Sequence, residues 1–380
     1  MIVYWARRHA ALILATAAVV GVAALTGCGA AARTDRDGVA RVPATVRGWG
    51  TALAVPGTVA LNKGANARIN SVSCASAGNC SAGGAYTDRS HHLQAFVVSE
   101  VDGVWRRAEE VPGTGALNPG GYAAIASVSC GSAGNCSAGG LYADRSRHNQ
   151  AFVVSEVNGA WRQATEVPGI ADLNTGGSAT TYTVSCASAG NCSAGGQYKD
   201  RARRVRGFVV GEVNGVWRRA EEVPGTAALN RDDGWINSVS CASPGNCSAA
   251  GPYTDRSGHL QTFVVSEVGG AWKTAEEVPG IAALNRGGHA GINSVSCASA
   301  GNCSAGGQYT GRSRHPQAFV VSEVSGVWRR AELVPGTAAL NTGGSATIYS
   351  VSCASKDACS AGGQYTDASG HQQAFVVGRP

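Results

Sequence analysis

Lysine is scarce in this 380-residue chain: only Lys63, Lys199, Lys273 and Lys356 occur, so 27 of the 31 basic residues are arginine. With the richness in Ala and Gly, this marks a GC-rich coding bias and weakens any argument from arginine clusters. Methionine occurs once, and charged residues make up 15% of the chain. No apolar run reaches the roughly 20 residues that a membrane-spanning helix needs; the run from Ala10 to Ala24 stops at the turn-prone Leu25-Thr26-Gly27-Cys28. Apolar residues do not recur with a helical period, which excludes helical repeats. No nucleophile stands beside a base, and there is no phosphate-binding loop. The net charge of +6 is modest for this length, and basic residues alternate with Asp and Glu along the chain. Nothing in this balance demands nucleic acid.

What is present begins with an export signal. Arg7 and Arg8 precede the apolar stretch from Ala10 to Ala24, the pattern of a signal peptide. Leu25-Thr26-Gly27-Cys28 resembles the bacterial lipobox. That resemblance implies a diacylated Cys28 thiol and cleavage just before it, so residues 1–27 are expected to be removed. Acyl chains contribute about 0.8 kcal/mol per buried methylene, so two or three of them hold a protein on a membrane. Residues 28–48 lack an apolar period and read as a tether. The expected location is the outer side of the cytoplasmic membrane or the cell surface.

Apart from Cys28, the 13 cysteines fall into pairs at Cys74/Cys80, Cys130/Cys136, Cys186/Cys192, Cys241/Cys247, Cys297/Cys303 and Cys353/Cys359. The first members are 56, 56, 55, 56 and 56 residues apart, and Trp49, Trp105, Trp161, Trp217, Trp272 and Trp328 keep the same step. Six repeats therefore fill residues 49–380. An even number of cysteines in an exported chain points to disulfides. A bridge across a tight hairpin fits this spacing, whereas zinc pairs usually stand closer and need reduced thiols.

Each repeat holds four strand-like runs, shown by Ile69–Cys74, Cys80–Tyr86, Ala95–Val101 and Val104–Ala108. Asp102-Gly103, Asn158-Gly159 and Asn214-Gly215 are strong two-residue hairpin signals, because both central residues need positive φ. Four antiparallel strands per repeat predict an all-β fold, a six-bladed β-propeller with the SVSC strand innermost. The chain enters at the Trp49 strand, a fourth strand without three before it, and leaves at Phe375–Val377, a third strand without a fourth. Pairing of these two ends is expected to close the ring.

The unit INSVSCASAGNCSAGGQYTGRSRHPQAFVVSEVSGVWRRAELVPG, Ile292–Gly336, is similar to the Cys-paired propeller-type repeats of exported actinobacterial lipoproteins. The resemblance spans nearly the whole mature chain and implies the fold, but lends no defined activity. The Ser-x-Asp-x-Gly-x-x-Trp box of sialidase-like propellers is not in the sequence.

In a propeller, the second-to-third-strand loops and the blade connectors share one face. The loops repeat an Asp-Arg-Ser-x-His theme at Asp88/His92, Asp144/His148, Asp255/His259 and Asp367/His371, with Gly311/His315 lacking the Asp. Capping of turns by Asp, with solvated His, accounts for this theme; a ring of such groups is also a candidate polar-ligand face. The third repeat departs from it, with Lys199, Arg201, Arg203, Arg204 and Arg206 in eight residues, a candidate anion site. Asp232, Asp233 and Trp235 follow in the next connector as a candidate acidic pair beside an extra indole. The Glu109-Glu110, Glu221-Glu222 and Glu276-Glu277 pairs read as a solvated edge. No cofactor or metal is expected. The leading reading is a non-enzymatic binding or scaffold lipoprotein, its partners the membrane, through Cys28, and an envelope protein or glycan, with no nucleic acid. A glycan-active hydrolase or lyase with an axial site and a structural spacer or adhesin are the alternatives.

Overall fold

The computed structural model describes residues 40–41, 51–229 and 232–379. The fold is all-β. Six antiparallel sheets follow one another along the chain, one per repeat, as the blades of a six-bladed β-propeller. Residues 1–27, expected as a signal peptide, lie outside the described residues, as do Cys28 and Trp49, and with them the expected pairing of the Trp49 strand to Phe375–Val377.

The first blade shows how the residues become strands. Its inner strand, Ala67–Ser76, turns at Ala77-Gly78 into the second strand, Asn79–Thr87. The third strand, Leu93–Val101, pairs along the length of the second. Asp102 and Gly103, at φ 51° and 77°, then form the tight turn to Val104–Trp105, as the sequence predicts. The expected fourth strand is broken in two: Val104–Trp105 and Glu109–Glu110 pair separately with the third strand. Between them Arg106 donates to the Ser99 carbonyl, while Ala108 donates its N–H to the carbonyl of Pro56 in the preceding connector, 2.7 Å away. Ala164, Ala220, Ala275 and Ala331 repeat that bond to Pro112, Pro168, Pro224 and Pro279. The break therefore ties each outer strand to the adjoining connector. Ala40–Arg41, in the segment read as tether, pairs as a short strand with Val104–Trp105.

The core lies between blades rather than within them. Ala95 and Val97 of the first blade pack with Ile125 and Val128 of the second, all at 5% exposure or less. Burial of each such aliphatic side chain contributes about 1.5–3 kcal/mol. The Gly-Gly pair of the second strand permits this approach. A Cβ on Gly83 would fall 2.7 Å from Ile125 Cγ2, and one on Gly84 would fall 1.9 Å from the Arg68 carbonyl, beside the bulge between Ile69 and Ser71.

Polar groups staple the same junctions. The Ser71 hydroxyl accepts the Val128 N–H at 2.9 Å, and the Ser73 hydroxyl accepts that of Cys130 at 3.0 Å. These pairs recur down to Ser294 with Val351 and Ser296 with Cys353. Farther out, the Glu156 carboxylate, 2% exposed, accepts hydrogen bonds from the Ser81 and Ser99 hydroxyls of the preceding blade at 2.9 and 2.7 Å. A buried carboxylate without such donors costs several kcal/mol.

Each cysteine pair bridges the first hairpin of its own blade, with Cα atoms 3.9–4.0 Å apart. The bridges span local hairpins as expected, and their second members also belong to the contact between blades. Cys136 and Cys192 are buried, at 3% and 5% exposure, and their sulfurs lie 3.4 and 3.5 Å from the hydroxyls of Ser81 and Ser137 in the preceding blades. The reason is the alternation of side chains along a strand. Cys136 shares a face with Ala138, two residues on, and both pack against the first blade; Cys192 and Ala194 do the same against the second. These bridges are therefore part of the core and lie away from the candidate ligand face.

At the two ends, Ile69 and Val72 of the first blade are 41% and 58% exposed and Val376 of the last is 87% exposed, although their counterparts in the second and first blades, Ile125, Val128 and Val97, are buried.

Candidate functional site: the loop and connector face

Antiparallel order places the second-to-third-strand loops and the blade connectors at one end of every sheet. The hairpin tips meet at the other end, where the Gly103 N–H donates to the Gly78 carbonyl. In the first loop, Asp88 Oδ1 accepts the N–H groups of Ser90 and His92 at 2.8 and 3.0 Å, and Oδ2 accepts the Gln94 amide at 2.9 Å. Gln94 Oε1 in turn accepts from Asn118 Nδ2 of the next connector, and the Leu93 N–H reaches the Gly121 carbonyl at 3.0 Å. Each loop is thereby fastened to the following blade. The relay recurs as Asp144–Gln150–Asn174 and Asp255–Gln261–Asn285. Burial alone would raise the carboxyls of Asp88 and Asp144, but the glutamine amide and the backbone N–H groups outweigh it and hold both below the usual carboxylate range. The Gln and Asn members were not anticipated, although both recur with the repeat.

The Asp residues of the theme are thus turn caps. The histidines are more than solvated side chains: each ring but the last lies over a glycine of the next connector. A Cβ on Gly121 would fall 2.6 Å from His92 Cδ2, and Gly177, Gly288 and Gly344 meet His148, His259 and His315 in the same way. His371 belongs to the sixth blade, and among the described residues no connector glycine lies against its ring. Among the described residues no group of three or more His, Cys, Asp or Glu is placed to hold a metal ion.

In the third loop, Asp200 caps Ala202 and Arg204 and pairs with the guanidinium groups of Arg204 at 2.9 Å and Arg206 at 3.3 Å. Arg206 stands where other blades have Gln; it is 7% exposed, and its Nη1 has no partner among the described residues. Arg201 and Arg203 project into solvent, and Lys199 is half-buried. Asp233 accepts the Val205 N–H at 2.7 Å, Asp232 is exposed, and the Trp235 indole donates to Asn237 Oδ1. The outer-strand glutamates also differ from expectation. The second of each pair accepts a tyrosine hydroxyl, as Glu110 does from Tyr86 at 2.7 Å and Glu222 from Tyr198 at 2.9 Å. Burial first, and the neighbouring carboxylate next, push both phenols well above their ordinary range.

No family model and no curated protein matches the chain. Among solved structures, it is similar to a protein of unknown function from Dyadobacter fermentans, at 11% identity over 84% of this chain and 96% of that one, with a TM-score of 0.39. It is similar to the fucose-specific lectin from Aleuria aurantia at 8% identity, over 82% and 91% of the two chains, with a TM-score of 0.39. A neuraminidase-like protein from A/bat/Guatemala/164/2009 is 9% identical over 83% of this chain and 88% of that one, with a TM-score of 0.42. Likeness of this degree assigns no ligand to the chain.

Proposed function

We propose that this protein is a lipid-anchored binding or scaffold module of the cell envelope, which engages an envelope glycan or protein through the loop and connector face without performing chemistry on it. The observation that supports this reading is the use of the repeated polar groups. Asp88, Gln94, Asn118 and His92, with their counterparts, fasten each loop to the next connector, so they build a rigid platform rather than a reactive centre. Rigid platforms lose little side-chain and loop entropy on binding. The side chains left at its surface are those of the loop tips. Anchoring rests on the lipobox-like Leu25-Thr26-Gly27-Cys28, and Cys28→Ala is expected to move the protein from the membrane fraction to the medium; a variant that stays anchored and still labels with palmitate removes that part. For the rest, the test is a glycan and envelope-extract binding screen, with product analysis of every glycan retained. Binding without turnover is expected. Product released from a bound glycan refutes the non-enzymatic reading, and failure to retain any envelope component refutes the binding one.

A further inference from the structure

Basic and acidic residues alternate along the sequence, but the fold sorts them. In the second-to-third-strand loops the aspartates turn inward onto backbone N–H groups, as Asp88, Asp144 and Asp255 do, while Asp172 and Asp232 of the connectors are exposed. The arginines beside the loop aspartates turn outward. Arg89, Arg145, Arg201, Arg256 and Arg312 occupy the same loop position in five blades and are all exposed. Two residues farther on, Arg147, Arg203 and Arg314 are exposed as well, at φ 60–63°. Apart from Arg256, none of these eight has an ion pair among the described residues. The fourth and sixth blades put Gly258 and Gly370 at that left-handed position. A side chain there costs on the order of 1 kcal/mol, so the turn itself does not call for arginine. The outer strands are different, because each basic run there is followed within four residues by a glutamate, Glu109, Glu166, Glu221, Glu276 or Glu332. The opposite face carries mostly neutral Ala-Gly, Asn-Gly and Ser-Gly tips.

We infer that the loop and connector face takes an anionic polysaccharide, a linear chain whose repeated carboxylates or phosphodiesters lie against the arginines of successive blades. This rests on the binding-module reading above and names its ligand class. A single exposed ion pair contributes less than about 1 kcal/mol, so an isolated anion is not held. A polymer that meets one or two guanidinium forks per blade sums those contributions and releases its own counterions as it binds. The sixth loop carries Ala368 and Gly370 in place of arginine, so the arc has an end. No Phe, Tyr or Trp occurs in the loops from Asp88 to His92 or at their five counterparts, and the rings of His92, His148, His259 and His315 lie against connector glycines, so the loops lack the large aromatic platforms on which nucleic acid bases stack.

The test uses the mature lipidated chain in detergent and four probes: alginate, poly(glycerol phosphate), neutral dextran and duplex DNA, each over a range of salt. Alginate or poly(glycerol phosphate) is expected to bind with an affinity that falls steeply with salt. Arg89→Ala/Arg145→Ala/Arg312→Ala together should weaken binding by about tenfold or more and flatten the salt dependence. Arg162→Ala/Arg218→Ala/Arg329→Ala, which remove the same charge from the exposed outer strands, should change it by less than about twofold. Circular dichroism melts confirm that both variants fold. Equal losses in the two variants, equal binding of dextran, or tighter binding of DNA would overturn the inference. A neutral glycan bound equally by parent and loop variant would overturn it while leaving the binding-module reading intact; retention of no glycan or envelope component at all would remove both.

Discussion

Glu267 is less well satisfied than its counterparts between blades. Glu156, Glu212 and Glu323 each accept two seryl hydroxyls from the preceding blade, whereas Glu267 has only Ser193, at 3.1 Å. Gly211 stands where the second serine would be, and a Cβ added there meets nothing within 4 Å. Burial accordingly raises the Glu267 carboxyl above its ordinary range, with Ser193 opposing and the Glu221 charge adding to the rise. A raised carboxyl favours the folded state at low pH and loses that contribution as pH climbs through its folded value. Gly211→Ser supplies the missing donor to the charged form. The expected result is a gain of about 1–2 kcal/mol near pH 7, which shrinks in acid as Glu267 takes up a proton. Chemical denaturation at both pH values checks it, and an equal gain in acid would show that the carboxylate is not the cause.

Among elements, the capped loops should respond to acid in a way that the fifth one cannot. Asp88 and Asp144 are held below the usual carboxylate range, so the order they confer is present above their unfolded value and is lost as pH falls through the folded one. The fifth loop has Gly311 in the Asp position. Hydrogen exchange, corrected for intrinsic rates, should show the amides of Ser90, His92, Ser146 and His148 losing protection on acidification, while those at 313 and 315 do not change. Similar behaviour in all loops would rule out the carboxylate caps as its origin. Much of the element level was legible in the sequence, because strands, two-residue turns and cysteine pairs are each written in neighbouring residues. The broken fourth strand was not, since the interruption depends on Ala108 reaching Pro56, far back in the chain. Nor was the second role of Cys136 and Cys192, whose seryl neighbours stand a whole repeat earlier. The same holds for the site. A histidine four residues after an aspartate resembles a ligand pair until the glycine of the next blade is brought beneath it, and Ser81 gives no hint of Glu156 in the blade beyond.

For the molecule as a whole, the outward faces of the first and last blades are halves of the junction seen five times between them. The first blade offers Ile69, Val72 and the N–H groups of Val72 and Cys74; the last offers Gly362, Val376 and the hydroxyls of Ser350 and Ser352, the counterparts of Ser71 and Ser73. The Trp161, Trp217 and Trp328 indoles donate to a serine of the preceding blade at 3.1–3.2 Å. By repeat position the acceptor expected for Trp49 is Ser322, which borders a cavity of about 440 Å³ between the fifth and sixth blades and accepts from Arg379 at 3.3 Å. Closure of the ring by the Trp49 strand is therefore expected. Deletion of residues 45–56 should lower the melting temperature and promote aggregation through the bared edge. A truncated chain as stable and soluble as the parent, or a parent whose mass in solution rises with concentration as copies join end to end, would refute closure within one chain.

Because the junctions share one pattern of hydroxyls, glycines and branched side chains, with Thr181, Thr183 and Gly211 of the third blade as departures from it, the gene can gain or lose a unit by misaligned recombination with little mismatch between the surfaces brought together. Removal of one whole 56-residue repeat leaves each remaining blade facing the neighbour it would have had in another register, whereas removal of part of a repeat separates a hydroxyl from its amide and a valine from its glycine. Related chains should therefore differ in length by whole repeats.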